Sequence, residues 1–180
     1  MVIDIGGGTT DIAVLSLGGI VTSDSIKIAG NSFDEDIINY IKEKYKVIIG
    51  EKTAEDIKIS IGTVIKENEK QEIEVTGRSV TTGLPETIKV SSYDIEEALK
   101  NDIKKIIVKA KTVLEKTPPE LSADIAEKGI VLTGGGALIN GLVQKLKTEL
   151  KVPIFISDNP LTNVVEGTGI LLDNLHLIDN

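Results

Sequence analysis

Apolar residues follow two rhythms along this chain: short β-branched runs, and stripes that recur every three or four residues. Residues 2–5 and 12–17 are runs of the first kind, and residues 20–28 alternate apolar and polar in their second half. Glycines at 6–8 and 18–19 separate them. The pattern predicts a three-stranded meander. Gly30 closes that region. Phe33, Ile37, Ile41 and Tyr45 then recur at helical spacing, with Asn31 or Ser32 as the cap and Asp34, Glu35 and Asp36 in the first turn.

After the apolar segment 47–49 and Gly50, Thr53-Ala54-Glu55-Asp56 has capping-box spacing, so a second helix is expected to start there, burying Ile57 and Ile61. The charged stretch 66–72 reads as a solvated loop before strands at 73–76 and 87–90. Ser92 is expected to cap the longest helical stripe, which carries Ile95, Leu99, Ile103, Ile106, Ala110 and Val113 until Pro118 and Pro119 stop it. A short helix at 119–128 ends at Gly129. Strand 130–133, a glycine turn at 134–136, and a helix bearing Leu138, Leu142, Leu146 and Leu150 follow. Strand 154–156, a turn at Asn159-Pro160 and a terminal helix at 162–172 complete the pattern. The order predicts an α/β fold: a mixed sheet built from the meander plus helix–strand–helix–strand–helix, with residues 31–91 inserted as a small α+β unit.

Composition narrows the function. A chain of 180 residues supports one sizeable core or two small lobes. Its formal charge of −8 argues against nucleic acid as a partner, because phosphate backbones are met by basic faces. No apolar run reaches the ~18 residues of a membrane span. There is no cysteine, so disulfides and thiolate metal sites are excluded. The single histidine, His176, reads as a surface residue, leaving little room for zinc or histidine-based catalysis.

The candidate chemistry lies in two glycine turns. In Asp4-Ile5-Gly6-Gly7-Gly8-Thr9-Thr10-Asp11 the glycines join two strands, unlike a P-loop or a dinucleotide fingerprint, which open helices. Three adjacent glycines can adopt positive φ and let backbone N–H groups converge on polyphosphate, each contributing roughly 1.5–3 kcal/mol, with the Thr9 and Thr10 hydroxyls as further donors. Asp4 would be repelled by phosphate unless a cation intervened, and magnesium keeps waters that an aspartate can hold. Without a ligand, the same residues make a tight hairpin with Asp4 as an Asx-turn acceptor. The second turn, Leu132-Thr133-Gly134-Gly135-Gly136-Ala137-Leu138, stands between a strand and a helix, where N–H groups favour ligand oxygens; glycine there also serves close strand–helix packing. Glu55 and Lys58 share one helix face. They suit a ribose-binding carboxylate and a lysine stem along a base, or a cap residue and a surface ion pair.

The two glycine segments resemble the second phosphate motif and the adenosine motif of the actin-like ATPases, which have a ribonuclease H-like fold. Ile28-Ala29-Gly30-Asn31, Ile49 through Lys58, Thr117 through Asp124, and Asn159-Pro160 with Glu166 through Gly169 narrow the likeness to the MreB family of bacterial actins, especially its Mbl branch. The resemblance covers essentially the whole chain as that family's second large domain. It implies residues 1–30 and 92–180 as an inner subdomain and 31–91 as an outer one. It implies an ATP-binding, filament-forming cytoskeletal protein in the cytoplasm, organising cell-wall synthesis at the inner face of the membrane. Gly7, Gly8 and Thr9 would hold the β- and γ-phosphates, and Asp4 a water on Mg2+. Glu55, Asp56, Ile57 and Lys58 would face ribose and base, and Gly134, Gly135, Gly136 and Ala137 would line the adenosine. The family's first phosphate loop, its water-positioning acid and its membrane-inserting elements belong to a preceding domain, so this segment reads as half of a site. A sugar or acetate kinase of the same superfamily, and an interaction module without nucleotide, stand as the alternatives.

Overall fold

The computed structural model describes residues 1–66 and 69–173; His176 and part of the charged loop lie outside the described residues. Strands β1 (Val2–Ile5), β2 (Thr10–Ser16) and β3 (Gly19–Ile26) form the expected antiparallel meander. Strands β7 (Ile130–Thr133) and β8 (Ile154–Ile156) extend it in parallel beyond β1, giving the order β3-β2-β1-β7-β8. A second, antiparallel sheet contains β4 (Val47–Ile48), β5 (Glu72–Ser79) and β6 (Pro85–Ser91), so it falls within the stretch expected to be inserted. Both hairpin strands outrun their expected limits of 73–76 and 87–90, because cross-strand pairing continues through polar residues to Arg78 and Pro85.

The helices are α1 (Gly30–Tyr45), α2 (Glu51–Ile61), α3 (Ser92–Lys116), α4 (Pro119–Lys128), α5 (Leu142–Leu150) and α6 (Asn163–Asp173). The stripe Phe33, Ile37 and Ile41 on α1 is fully buried, as are Ile95, Leu99 and Ile106 on α3. These side chains join Ile3, Ile5, Ile12 and Leu132, from one face of the five-stranded sheet, in a single core. Burial of each such side chain contributes roughly 1.5–3 kcal/mol. On the opposite sheet face, Val131 pairs in register with Phe155 and both are exposed, and Asp4 pairs there with Asp11 and Thr133. Because side chains alternate along a strand, Asp4 points away from the core that Ile3 and Ile5 enter.

Five helix starts differ from expectation, α6 only in beginning at Asn163 and not at residue 162. Helix α1 begins at Gly30, before Asn31 or Ser32, since its first N–H groups are met by carbonyls of the glycine turn rather than by a side-chain cap. Helix α2 begins at Glu51 with Gly50 as its cap, which places Thr53 inside the first turn. Helix α3 is capped by Ser91, not Ser92: Ser91 Oγ accepts from Asp94 N–H, and Asp94 Oδ2 accepts from Ser91 N–H at 2.9 Å. The helix expected from Leu138 through Leu150 is broken. Residues Gly135–Leu138 make a 3₁₀ turn, Gly141 takes φ +78°, and α5 starts at Leu142. The break lets the Asn140 carbonyl accept the Val64 N–H at 3.0 Å, tying the end of α2 to this loop. Leu138, off the helix, is half exposed, whereas Leu142 and Leu146 are fully buried.

Candidate functional site

Two bonds set the direction of the first glycine turn. The Gly30 N–H donates to the Gly6 carbonyl at 3.0 Å and the Asn31 N–H to the Gly7 carbonyl at 2.7 Å. In a trans peptide the N–H points opposite to the preceding carbonyl, and no peptide bond here is cis. The N–H groups of Gly7 and Gly8 are therefore turned away from α1, and neither takes part in closing the turn, which is done by Gly6 N–H to Thr9 O at 3.0 Å.

The glycines are not needed for backbone strain. None of Gly6, Gly7 and Gly8 has positive φ, contrary to expectation, because the turn is shaped by its bonds to α1 instead. A Cβ at Gly8 would meet no atom within 4 Å, and one at Gly7 would lie 3.5 Å from Asn31 Oδ1. Nothing within the fold excludes a side chain at Gly8. A Cβ there would enter open space. The expected second hydroxyl donor is corrected as well: Thr10 is buried and donates to the Ile28 carbonyl at 2.6 Å, while Thr9 is exposed and donates to Asp11 Oδ2 at 2.9 Å.

The glycines of the second turn have other reasons. Gly134 has φ +84°, and a Cβ there would collide with Ile5 backbone and Asp4 Oδ1; one at Gly136 would collide with the Ile5 side chain. Both allow the 3₁₀ turn to press against β1, which is the packing role. The Gly134 N–H is held by the Pro160 carbonyl at 2.8 Å and the Ala137 N–H by Gly134 O at 3.1 Å, and the Ala137 side chain is buried. Gly135 and Gly136 remain at the cavity wall.

A cavity of about 680 Å³ lies between this turn, the start of α1 and the end of α2. Of the residues anticipated from sequence, it brings together Gly7, Glu55, Lys58, Gly135 and Gly136. Gly8 and Thr9 are exposed and do not line it. Neither do Asp56, which is exposed and paired with Lys52 at 2.8 Å, and Ile57, which is buried in the core. Asn31, Asp34, Asn140 and Leu161 also line the cavity and were not anticipated as site residues. Asp34 carried no local signal beyond an acid near a helix start, because its partner is on another helix: Lys58 Nζ donates to Asp34 Oδ2 at 2.8 Å and to the Gly30 carbonyl at 3.0 Å.

Asp4 lies beyond the cavity lining, against the Gly134 backbone. Its Oδ1 is buried without a hydrogen-bond partner, and burial, then the Asp11 carboxylate, raise its pKa above the usual aspartate value. An ionised Asp4 beside Asp11 is a setting that a cation would relieve. Among the described residues no three acidic or histidine side chains group as a metal cage.

A meander extended by parallel strands, an inserted antiparallel sheet, and two glycine turns converging on one cavity define an actin-like α/β protein. The model of the MreB/Mbl protein family matches residues 1–180, and the chain belongs to that family. It is 58% identical over 175 residues to the cell shape-determining protein Mbl of Bacillus subtilis, covering 97% of this chain and 53% of that protein. With the cell shape-determining protein MreB of Escherichia coli it shares 46% identity over 177 residues, covering 98% and 51%. The chain thus spans about half the length of the curated relatives it matches. The crystal structure of MreB5 of Spiroplasma citri bound to ADP superposes with a TM-score of 0.93 at 42% identity, over 99% of this chain and 55% of that one. The MamK double helical filament superposes with a TM-score of 0.74 at 27% identity, over 88% and 49%. Among the described residues no helix is long and apolar enough to cross a membrane.

Proposed function

We propose that this chain is the ATP-binding half of a filament-forming bacterial actin, with residues 1–30 and 92–180 as its inner subdomain and 31–91 as its outer one. The observation that carries the reading is the pair of bonds from Gly30 and Asn31 that turns the Gly7 and Gly8 N–H groups outward, beside a cavity walled by Gly135 and Gly136. Gly7, Gly8 and Thr9 would meet the β- and γ-phosphates, Glu55 the ribose hydroxyls and the Lys58 stem the base. Bound Mg2+ would neutralise phosphate charge, and Asp4 would hold it through water. Asp56, Ile57, Gly134 and Ala137 support these groups as backbone and core neighbours. The bound ADP of MreB5 and the filament of MamK favour nucleotide binding and self-association here.

Calorimetric titration of the chain with Mg-ATP tests this reading. Micromolar binding supports it, and the absence of any heat at millimolar nucleotide overturns it. Hydrolysis is expected to be far slower than in complete family members, since the first phosphate loop and the water-positioning acid lie in the other domain; phosphate release at a full-length rate would contradict that division. By the same reading the protein acts in the cytoplasm at the inner face of the membrane. Its partners are further copies of itself, the other actin-like domain and the cell-wall synthesis machinery, with membrane contact made through that other domain.

A further inference from the structure

Lys58 and Asp34, both lining this cavity, make an ion pair whose two side chains are mostly buried, at 14% and 16% exposure. It joins α2 to α1, and its lysine reaches the Gly30 carbonyl, whose own N–H holds Gly6. A lysine ammonium has three donors. Two of them are directed at Asp34 and Gly30, and both point the head toward α1. The position is crowded: a Cβ at Gly30 would stand 3.3 Å from the Gly6 carbonyl oxygen and 3.6 Å from Lys58 Nζ. Lys58 Nζ is thus close to the phosphate-type turn. An unpaired ammonium at this place would attract any polyphosphate, with or without a nucleoside attached.

We propose that Asp34 is a positioning residue that sets specificity for a nucleoside over bare polyphosphate. By neutralising the Lys58 ammonium and holding it against Gly30, Asp34 removes a free positive charge from beside the glycine turn. The same bond turns the lysine stem toward the cavity as an apolar wall for a base. Affinity then depends on the nucleoside as well as on the phosphates. The second oxygen, Asp34 Oδ1, is buried with no hydrogen-bond partner, a cost that the fold carries in order to keep the carboxylate here. This inference rests on the nucleotide reading above and assigns selectivity within it.

The test is to titrate the 180-residue chain with adenosine and, separately, with inorganic tripolyphosphate, comparing wild type with Asp34→Asn and Lys58→Met. In Asp34→Asn the two ligands are expected to move in opposite directions. Adenosine affinity falls about tenfold, the size of one charge-assisted contact, while tripolyphosphate affinity rises as Lys58 is released. Loss of packing alone weakens both ligands together, so equal changes for the two, or no change, overturn the role of Asp34. Lys58→Met keeps the fold check independent of Asp34: it is expected to weaken adenosine with no gain for tripolyphosphate, and retained adenosine affinity overturns the proposal. In the double variant the two losses of adenosine affinity should be less than additive. If wild type binds ATP and the ratio of the two ligands is unaltered in Asp34→Asn, only the selectivity falls. If wild type binds nothing, the nucleotide reading falls first.

Discussion

Asn31 donates its backbone N–H to the Gly7 carbonyl at 2.7 Å, so the first turn of α1 and the glycine turn satisfy each other's polar groups. That reciprocity separates folding from binding at the neighbouring Gly8, where a Cβ meets nothing within 4 Å and φ is not left-handed. Gly8→Val is expected to melt within a few degrees of wild type, a change of about 0.5 kcal/mol or less. Its affinity for Mg-ATP should fall by at least about tenfold, because the side chain covers the N–H groups. Thermal unfolding and calorimetry on one preparation check both halves; unimpaired binding would falsify the phosphate role of this turn.

Gly136 is the converse case. Its missing Cβ is the room into which the Ile5 side chain packs. Gly136→Ala should destabilise the chain by about 1–3 kcal/mol through overpacking. Chemical denaturation should show a lower midpoint at an unchanged slope.

Asp94 ties the start of α3 to the end of α1. It caps α3 with Ser91, accepts from Tyr45 Oη at 2.7 Å, and pairs with Lys44 at the end of α1. Burial alone would raise its carboxyl, but hydrogen bonds from Lys44, Ser91 and Tyr45 outweigh that and hold it at about 2. A carboxyl depressed in the folded state stabilises above its ordinary pKa and loses that contribution as pH falls from near 4 toward about 2. Asp94→Asn should cost about 2 kcal/mol at neutral pH and flatten the acid limb of stability against pH. An unchanged acid limb in urea titrations would count against this network.

Asp36 works in the opposite sense and in another window. Burial, then the neighbouring Asp102 carboxylate, push its pKa up to about 6. The folded chain therefore keeps a proton that the unfolded chain releases near pH 4, and stability falls as pH rises between those values, by at most about 1.4 kcal/mol per unit. Asp36→Asn should remove that slope and leave the variant more stable than wild type at pH 7.5, but not at pH 4. Urea midpoints at the two values decide it.

The parts visible in sequence are those carried by local periodicity. The stripe Phe33, Ile37, Ile41 and the strand 130–133 are found where their spacing put them. The glycine turns announced themselves by composition, but not the reasons for their glycines. Gly136 answers to Ile5, and the direction of the Gly7 and Gly8 N–H groups answers to Gly30 and Asn31, all distant along the chain. The break after Leu138 was hidden for the same cause: the leucine spacing is continuous, and the interruption is favoured by long-range contacts, among them the bond from Val64 to Asn140 and the packing of Ile65 against Gly141. The ion pair of Asp34 with Lys58 joins residues 24 apart on two helices, so it leaves no local signature.

Strand β1 is hydrogen-bonded on one side to β2, its immediate successor, and on the other to β7, with Val2 beside Val131. Strand β1 is thus the middle of the sheet, and it is made well before its neighbour β7. On a ribosome the meander can form before β7 is made, so its inner edge stays open while the residues between β3 and β7 emerge. That exposed edge is a template for wrong pairing with other chains. Nascent chains halted before β7 should be the most dependent on holding chaperones.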